Sequence, residues 1–305
     1  MGLTLLVGGT NSNWNPWLQE ELDGRDRLCL DPADSSHGPP GRLALIRGET
    51  VVAWRFYGGM SPRRSPHILV RAAATLLPEI REEGVVQLFP VSASPLIQQL
   101  ARCVIELARP TQILMASGTP LPLSPWPAPV EEVECEPALP GAVAASKRRA
   151  RWRQWFSECE VHSISMFQVT LEGVRLGSGR ALNAVELEQA GLSRALRAEI
   201  QGGKLWIVGD ETFDAETIAR ALDYSGCDRA QSVSPSAYHD VVCSFARSDG
   251  EDFALGVIRE ANFHTGAFRI LSPAVSPAVV DLLRIGGLRI GDEAQELGEA
   301  PSWSL

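Results

Sequence analysis

At 305 residues, with 45% hydrophobic and 21% charged content, the chain has the composition of an ordinary globular protein with room for one large or two modest domains. A formal net charge of −9 argues against an overall electrostatic grip on nucleic acid and leaves only a local basic patch for that purpose. Six cysteines are scattered with no C-x-x-C pair and no histidine at ligand spacing, so reduced thiols are expected and a structural metal is not. The apolar run at residues 3–7 is too short for a signal peptide and lacks a basic leader, and no stretch approaches the roughly 20 apolar residues of a membrane span. A soluble, cytoplasmic protein without membrane contact is expected.

In chain order, LTLLV (residues 3–7) and RLCLD (27–31) are short apolar runs bounded by turn residues, as buried parallel strands are. RLALI and VVAWRF read as a hairpin around Gly48, and Ser65-Pro66 opens a helix. VVQLFPV reads as a strand. Ser94-Pro95 opens a second helix with Leu96, Ile97, Leu100, Val104 and Leu107 on one face, and TQILMA closes the unit as a strand. Strands alternating with helices imply an α/β layer around a mostly parallel sheet. Residues 117–140 are Pro-rich and acidic and read as a linker or surface excursion. A basic helix follows over 145–157. Beyond residue 159 the pattern turns to strands separated by turns, with one helix expected around 184–198.

The first strand runs into Gly8-Gly9-Thr10-Asn11-Ser12-Asn13-Trp14-Asn15. A phosphate-cradling loop has glycines so that backbone N–H groups can wrap the phosphates, a Lys for the β/γ oxygens, and a Ser/Thr hydroxyl for Mg²⁺. Gly8 stands at the first Gly, Asn13 at the second, Trp14 at the Lys and Asn15 at the hydroxyl. Taken alone, these residues also read as a plain strand-to-helix turn.

Further segments bear on that choice. Cys29-Leu30-Asp31-Pro32-Ala33-Asp34 is followed by Pro39-Pro40-Gly41; Ser61-Pro62 precedes Arg63 and Arg64; Arg149 and Arg153 lie one helical turn apart; and residues 255–288 read LGVIRE…RILSP…VVDLLRIGGL. In this order the segments resemble the polynucleotide 5′-hydroxyl kinase family of RNA processing, which includes the kinase subunit of the pre-mRNA cleavage factor and the nucleolar pre-rRNA processing kinase. The resemblance spans nearly the whole chain. It implies a P-loop NTPase-like, mostly parallel α/β sheet flanked by helices over residues 1–158 and a smaller β-rich domain over 159–305. It also implies a lid role for Arg149 and Arg153.

The departures carry the functional expectation. The family's Lys is Trp14, its hydroxyl Asn15, its second loop Gly Asn13, and the first Asp of its second motif Cys29; the family's Thr-x-Gly-Trp clasp has no counterpart in LFPVSASPL. Phosphoryl transfer rests on charge neutralisation and positioning, and each lost charged contact is typically worth about 2–4 kcal/mol, or roughly 10²–10³ in rate. A catalytically degenerate kinase-like protein is therefore expected, with no confident catalytic residue (Asp31, Arg149 and Arg153 being vestigial) and no cofactor. It would bind RNA or a protein partner, with Arg63, Arg64, Lys147, Arg148 and Arg151 as candidate phosphate contacts. Two alternatives stay open: an active ATP- and Mg-dependent kinase with a rearranged site using Asp31, Asp34 and Arg149, and a purely structural interaction module. Trp14 and Trp17 read as a packing pair or a base-stacking platform, Asp31 and Asp34 as turn residues. His239-Asp240 is not expected to form a dyad, because neighbours on a strand face opposite ways.

Overall fold

Thr4 to Val7 are buried because the strand that carries them, β1 (Gly2–Val7), is covered on both faces of a sheet. The computed structural model describes residues 2–299 apart from 23, 82, 122–124, 174 and 175. The chain divides into two units, Met1–Trp155 and Phe156–Leu305. After β1, the first contains β2 (Ser12–Asn13), α1 (Asn15–Glu21), β3 (Asp26–Cys29), β4 (Arg42–Arg47), β5 (Thr50–Phe56), α2 (Pro66–Leu76), β6 (Glu83–Gln87), α3 (Pro95–Ala108), β7 (Gln112–Ala116), β8 (Val130–Val133), β9 (Glu136–Pro137) and α4 (Gly141–Phe156).

Its main sheet has the order β5-β4-β3-β6-β1-β7-β8. From β3 to β8 every pairing is parallel, and β4 and β5 add an antiparallel hairpin. The central one of the five parallel strands is therefore β1, the first in the chain, and the loop leaving it opens at the carboxyl edge, where ligands of open α/β sheets bind. Alternation along the strands splits the core in two. Leu5, Val7, Val86, Ile113 and Met115 face α2 and α3, whereas Leu6, Val85, Leu114 and Ala116 face Trp14 and Leu18 of the α1 side.

α3 begins where Pro95 fits the first turn after an extended Ser94, and it ends at Arg109 in the left-handed region. It buries Ile97, Leu100, Ala101, Val104 and Ile105, so Leu96 and Leu107, expected on that face, point outward at 46% and 40% exposure. The Pro-rich stretch is more than an excursion: outside residues 122–124, which are not among the described residues, it supplies edge strand β8 and the short β9.

The second unit contains β10 (Cys159–Ser165), β11 (Thr170–Gly173), β12 (Arg180–Ala181), α5 (Ala184–Gln189), β13 (Arg197–Gln201), β14 (Lys204–Val208), α6 (Ala215–Ser225), β15 (Arg229–Val233), β16 (Val241–Ala246), β17 (Asp252–Asn262), β18 (Ala267–Pro273), β19 (Leu282–Ile290) and β20 (Glu296–Glu299). A largely antiparallel sheet, β10-β18-β17-β16-β19-β11, carries a four-stranded sheet, β12-β13-β14-β15, as an insertion between β11 and β16. The helix expected over 184–198 stops at Gln189, because Gly191 at φ 74 turns the chain towards β13. α6 was not anticipated, although Asp214 caps its start by accepting from the Thr217 N–H and Gly226 at φ 66 ends it. No helix among the described residues is long and apolar enough to cross a membrane.

Candidate functional site

The loop between β1 and α1 is closed by its own side chains. The Gly9 N–H donates to Ser12 Oγ (3.0 Å) and the Ser12 N–H to the Gly9 carbonyl (3.2 Å), so donors that a phosphate would need are already engaged. The Gly8 carbonyl accepts from Val91 N–H (2.8 Å) and the Asn11 carbonyl from Ala138 N–H (2.8 Å). Ser12–Asn13 pairs antiparallel with Glu136–Pro137, stitching the loop to the segment that leads into α4. Thr10 and Asn11 are the exposed tip. Asn15 opens α1, its N–H donating to Asn13 Oδ1 (3.2 Å).

Trp14 is 4% exposed and packs with Leu6, Leu18, Val85, Leu114 and Ala116, its ring edge-on to Trp17 at 6.3 Å between centroids. It is a packing residue and not a stacking platform. The indole Nε1 reaches Gly8 so closely that a Cβ there would meet it at 2.7 Å, and would meet Ser12 Cβ at 2.8 Å. Gly8 is therefore glycine because of the indole. That N–H is buried and meets no acceptor among the described residues. A magnesium triphosphate does not fit this donor set: Trp14 offers no cation, Asn15 no hydroxyl, and the Gly9, Ser12 and Asn15 amides are spent within the loop.

The neighbouring loop, after β3, is built from charges. Arg27, Cys29 and Asp31 alternate onto one face of β3 while Leu28 and Leu30 enter the core on the other. Arg27, 3% exposed, donates to Gln87 Oε1 (2.6 and 3.1 Å) and lies 3.9 Å from Asp34. Asp31 Oδ1 accepts from the Ala33 N–H (3.0 Å), and Asp34 Oδ2 from the Ser36 hydroxyl (2.6 Å) and, at 3.4 Å, from the Ser36 N–H, so both carboxylates do turn work. Pro39-Pro40-Gly41 folds back, the Gly41 N–H donating to the Pro32 carbonyl at 2.8 Å. Cys29, Asp31, Asp34, His37 and Arg42 line a cleft of about 240 Å³, space open to solvent included; small-molecule sites run to roughly 300–1,000 Å³.

Burial pushes the Asp31 carboxyl up to about 7, aided by Asp34 and opposed by the Ala33 N–H, Arg148 and Arg27. A carboxyl half-neutral near pH 7 is a weak cation ligand. Burial also lowers His37, with Arg27 adding to the effect, and raises the Cys29 thiol, with Asp34 adding to it. Arg27, Ser36, His37 and Arg42 escaped sequence reasoning. The alternation of Arg27 with Asp31 was the available signal.

The basic helix reaches this loop. Arg151 Nε donates to the Ser35 carbonyl (3.1 Å) and its NH2 to the Ser36 carbonyl (3.0 Å), while Arg148 acts electrostatically on Asp31. Arg148 and Arg151 thus act on this loop; Arg149 is half-buried, and Arg153 and Lys147 are exposed. Arg63, exposed, donates to Ser92 Oγ (3.1 Å), bringing the loop after β5 to the loop after β6, and Arg64 beside it is exposed. Cations therefore sit at the loops after β3 and β6, on the β6 side of the closed loop.

No protein-family model matches the chain. A polyribonucleotide 5′-hydroxyl-kinase of Thermococcus kodakarensis is 26% identical over 212 residues, which make up 66% of this chain and 58% of that protein. One of Pyrococcus furiosus is 24% identical over 155 residues, 50% of this chain and 42% of the relative. The chain is similar in sequence to polyribonucleotide 5′-hydroxyl-kinases. This kinase-like chain matches well under two thirds of those proteins' length. The wild-type Clp1p–Pcf11p complex supplies a structural neighbour at TM-score 0.58 and 12% identity, covering 94% of this chain and 74% of Clp1p; a second structure of the pair gives 0.57, 11%, 94% and 75%. The kinase-like chain thus has the Clp1p fold, a P-loop-type sheet followed by a β-rich region.

In the second unit, His239 Nε2 and Asp240 Oδ1 do meet, at 3.5 Å, contrary to the expectation from strand alternation. Asp240 has φ 65, which breaks the extended geometry that alternation presumes. Asp240 is also ion-paired with Arg259, so the histidine is one member of a structural cluster. His264 pairs with Asp210 at 2.7 Å, both exposed.

Proposed function

We propose that this chain is a polynucleotide kinase-like protein of RNA processing that binds RNA at the cationic carboxyl edge of its first sheet without phosphorylating it. The observation that carries this reading is the Trp14 indole lying against Gly8 where the cradle's cation and phosphates would act. Arg63, Arg64, Lys147, Arg149, Arg151 and Arg153 supply local positive charge in a chain of net charge −9. The kinship with polyribonucleotide 5′-hydroxyl-kinases supports RNA as the polyanion.

Calorimetry with ATP and Mg²⁺, and 5′-phosphorylation of an RNA oligonucleotide, test the first half. No binding and no turnover are expected; robust turnover overturns the reading and favours an active, rearranged site, which Asp31→Ala would then abolish. Changing Trp14→Lys with Asn15→Ser restores nucleotide affinity if the loop is an inherited cradle. Fluorescence anisotropy with labelled RNA tests the second half. Neutralising Arg149, Arg151 and Arg153 together is expected to weaken binding and to lower the salt slope by up to about 2–3, since each phosphate contact contributes roughly 0.7–0.9. A second reading, binding of a protein partner, is favoured by the solved neighbours, which hold Clp1p together with Pcf11p.

A further inference from the structure

The far edge of the first sheet has a different character from the cationic carboxyl rim. β8 ends the strand order and is paired only with β7 within that sheet. The Ile113 N–H donates to the Pro129 carbonyl (2.9 Å) and the Ser117 N–H to the Val133 carbonyl (3.0 Å). Residues 129, 131 and 133 therefore turn their backbone groups inward, and Val130, Glu132 and Glu134 turn theirs outward. Val130, Glu131, Glu132, Glu134 and Glu136 are all exposed.

This edge is also uniformly acidic. Between residues 110 and 146 the chain has no Lys or Arg, and its carboxylates there are Glu131, Glu132, Glu134 and Glu136. Two are held along the strand rather than left to wander: Gln112 Nε2 donates to Glu131 (3.0 Å) and Ser117 Oγ to Glu134 (2.9 Å). Open backbone groups of alternating residues, bordered by fixed carboxylates, match an extended chain with cationic side chains in two ways at once.

We propose that β8 is a docking edge for an extended, Lys- or Arg-bearing segment of a protein partner, which adds to the sheet as a further strand. Charge selects this occupant over the others. A second copy would bring two rows of glutamates together, a like-charge pairing that native edges use to stay apart. RNA is repelled for the same reason, so the proposal does not rest on RNA binding at the carboxyl edge. The edge is short, a four-residue strand preceded by Pro129, and suits a transient contact rather than a permanent one.

The test uses the full chain and a short alternating Lys-Val peptide, read by fluorescence anisotropy and by amide hydrogen exchange. Salt-sensitive binding is expected, with exchange protection gained at the Val130, Glu132 and Glu134 amides. Glu132→Lys is expected to weaken binding about tenfold. Glu132→Pro removes an outward N–H while leaving the β7 ladder intact, and is expected to weaken it similarly. Should that variant fold poorly, the same question is put to a peptide N-methylated at alternate residues, which loses its donors while the protein is unchanged. Undiminished binding of the N-methylated peptide would mean adhesion by charge alone and would overturn the proposal. Protection at another site, absence of binding, or a dimer formed through this edge would each do the same.

Discussion

The loop after β1 and the loop after β3 leave the same edge of one sheet, from strands separated only by β6, yet they are held by different forces. The first is shut by an indole embedded in apolar side chains and by backbone and hydroxyl hydrogen bonds. The second is a network of carboxylates, guanidiniums and turn amides, with Asp31 poised near neutrality. Apolar closure is insensitive to pH and salt and is lost mainly by removing volume. Charge-based closure costs little volume and responds to both. The difference separates a loop held by shape from one that answers to ionic conditions.

The largest effect that breaks the comparison is Trp14→Ala. Removing a buried indole is expected to cost about 3–5 kcal/mol of stability, read by urea denaturation. The loss should be the same at pH 5 and pH 8, because the ring packs on apolar side chains, and burial with Glu134 raises the neighbouring Cys135 thiol above its usual range. A pH-dependent loss would mean that the two loops share their electrostatics.

Asp31→Asn comes next and acts on the second loop alone. The Asp31 pKa is raised on folding from its ordinary 3.8 to about 7, so the folded state holds this proton more tightly. The associated stability is present below about pH 4 and is lost as pH rises through 7. Asn keeps an oxygen for the Ala33 N–H and has no charge to bury. The variant is expected to be more stable than wild type at pH 8, on the order of 1–3 kcal/mol, and to gain nothing at pH 4. Equal stability curves across that window would refute the assignment.

Much of this contrast was legible in the sequence. The apolar runs of β1, β6 and β7 and the Pro-started α2 and α3 announce themselves by period and punctuation, and Trp14 at the cation's place is visible in any reading of the loop. What escaped did so for physical reasons. β8 reads Val-Glu-Glu-Val after two prolines because an edge strand has one bonded side and little to bury, so no apolar alternation marks it. The network around Arg27 depends on Gln87 and Ser36, which spacing along the chain does not bring together. Arg151 donates to the β3 loop although the sequence marks it only as a phosphate contact, since the pitch of α4 sets which cation faces inward and a small shift in helix phase changes the answer.

A smaller effect sharpens the closure of the first loop. Ser12→Ala frees the Gly9 N–H and is expected to cost about 0.5–1.5 kcal/mol, the ordinary worth of one hydrogen bond. Raised exchange at the Gly9 amide, with Gly8 and Trp14 unmoved, would locate the loss in that bond rather than in the indole packing.

Arg148→Ala gives the smallest shift. Arg148 lowers the Asp31 pKa against a larger upward push from burial. Removing it leaves the burial and Asp34 contributions in place, so the Asp31 carboxyl should titrate higher still, by less than about one unit given screening at a partly open rim. A carboxyl-carbon NMR titration reads this directly, with wild type near 7 as the reference. The sign is what matters. A fall would mean that α4 shields Asp31 from water more than it neutralises it, and the basic helix would then belong with the apolar closure of the first loop instead of the charged network of the second.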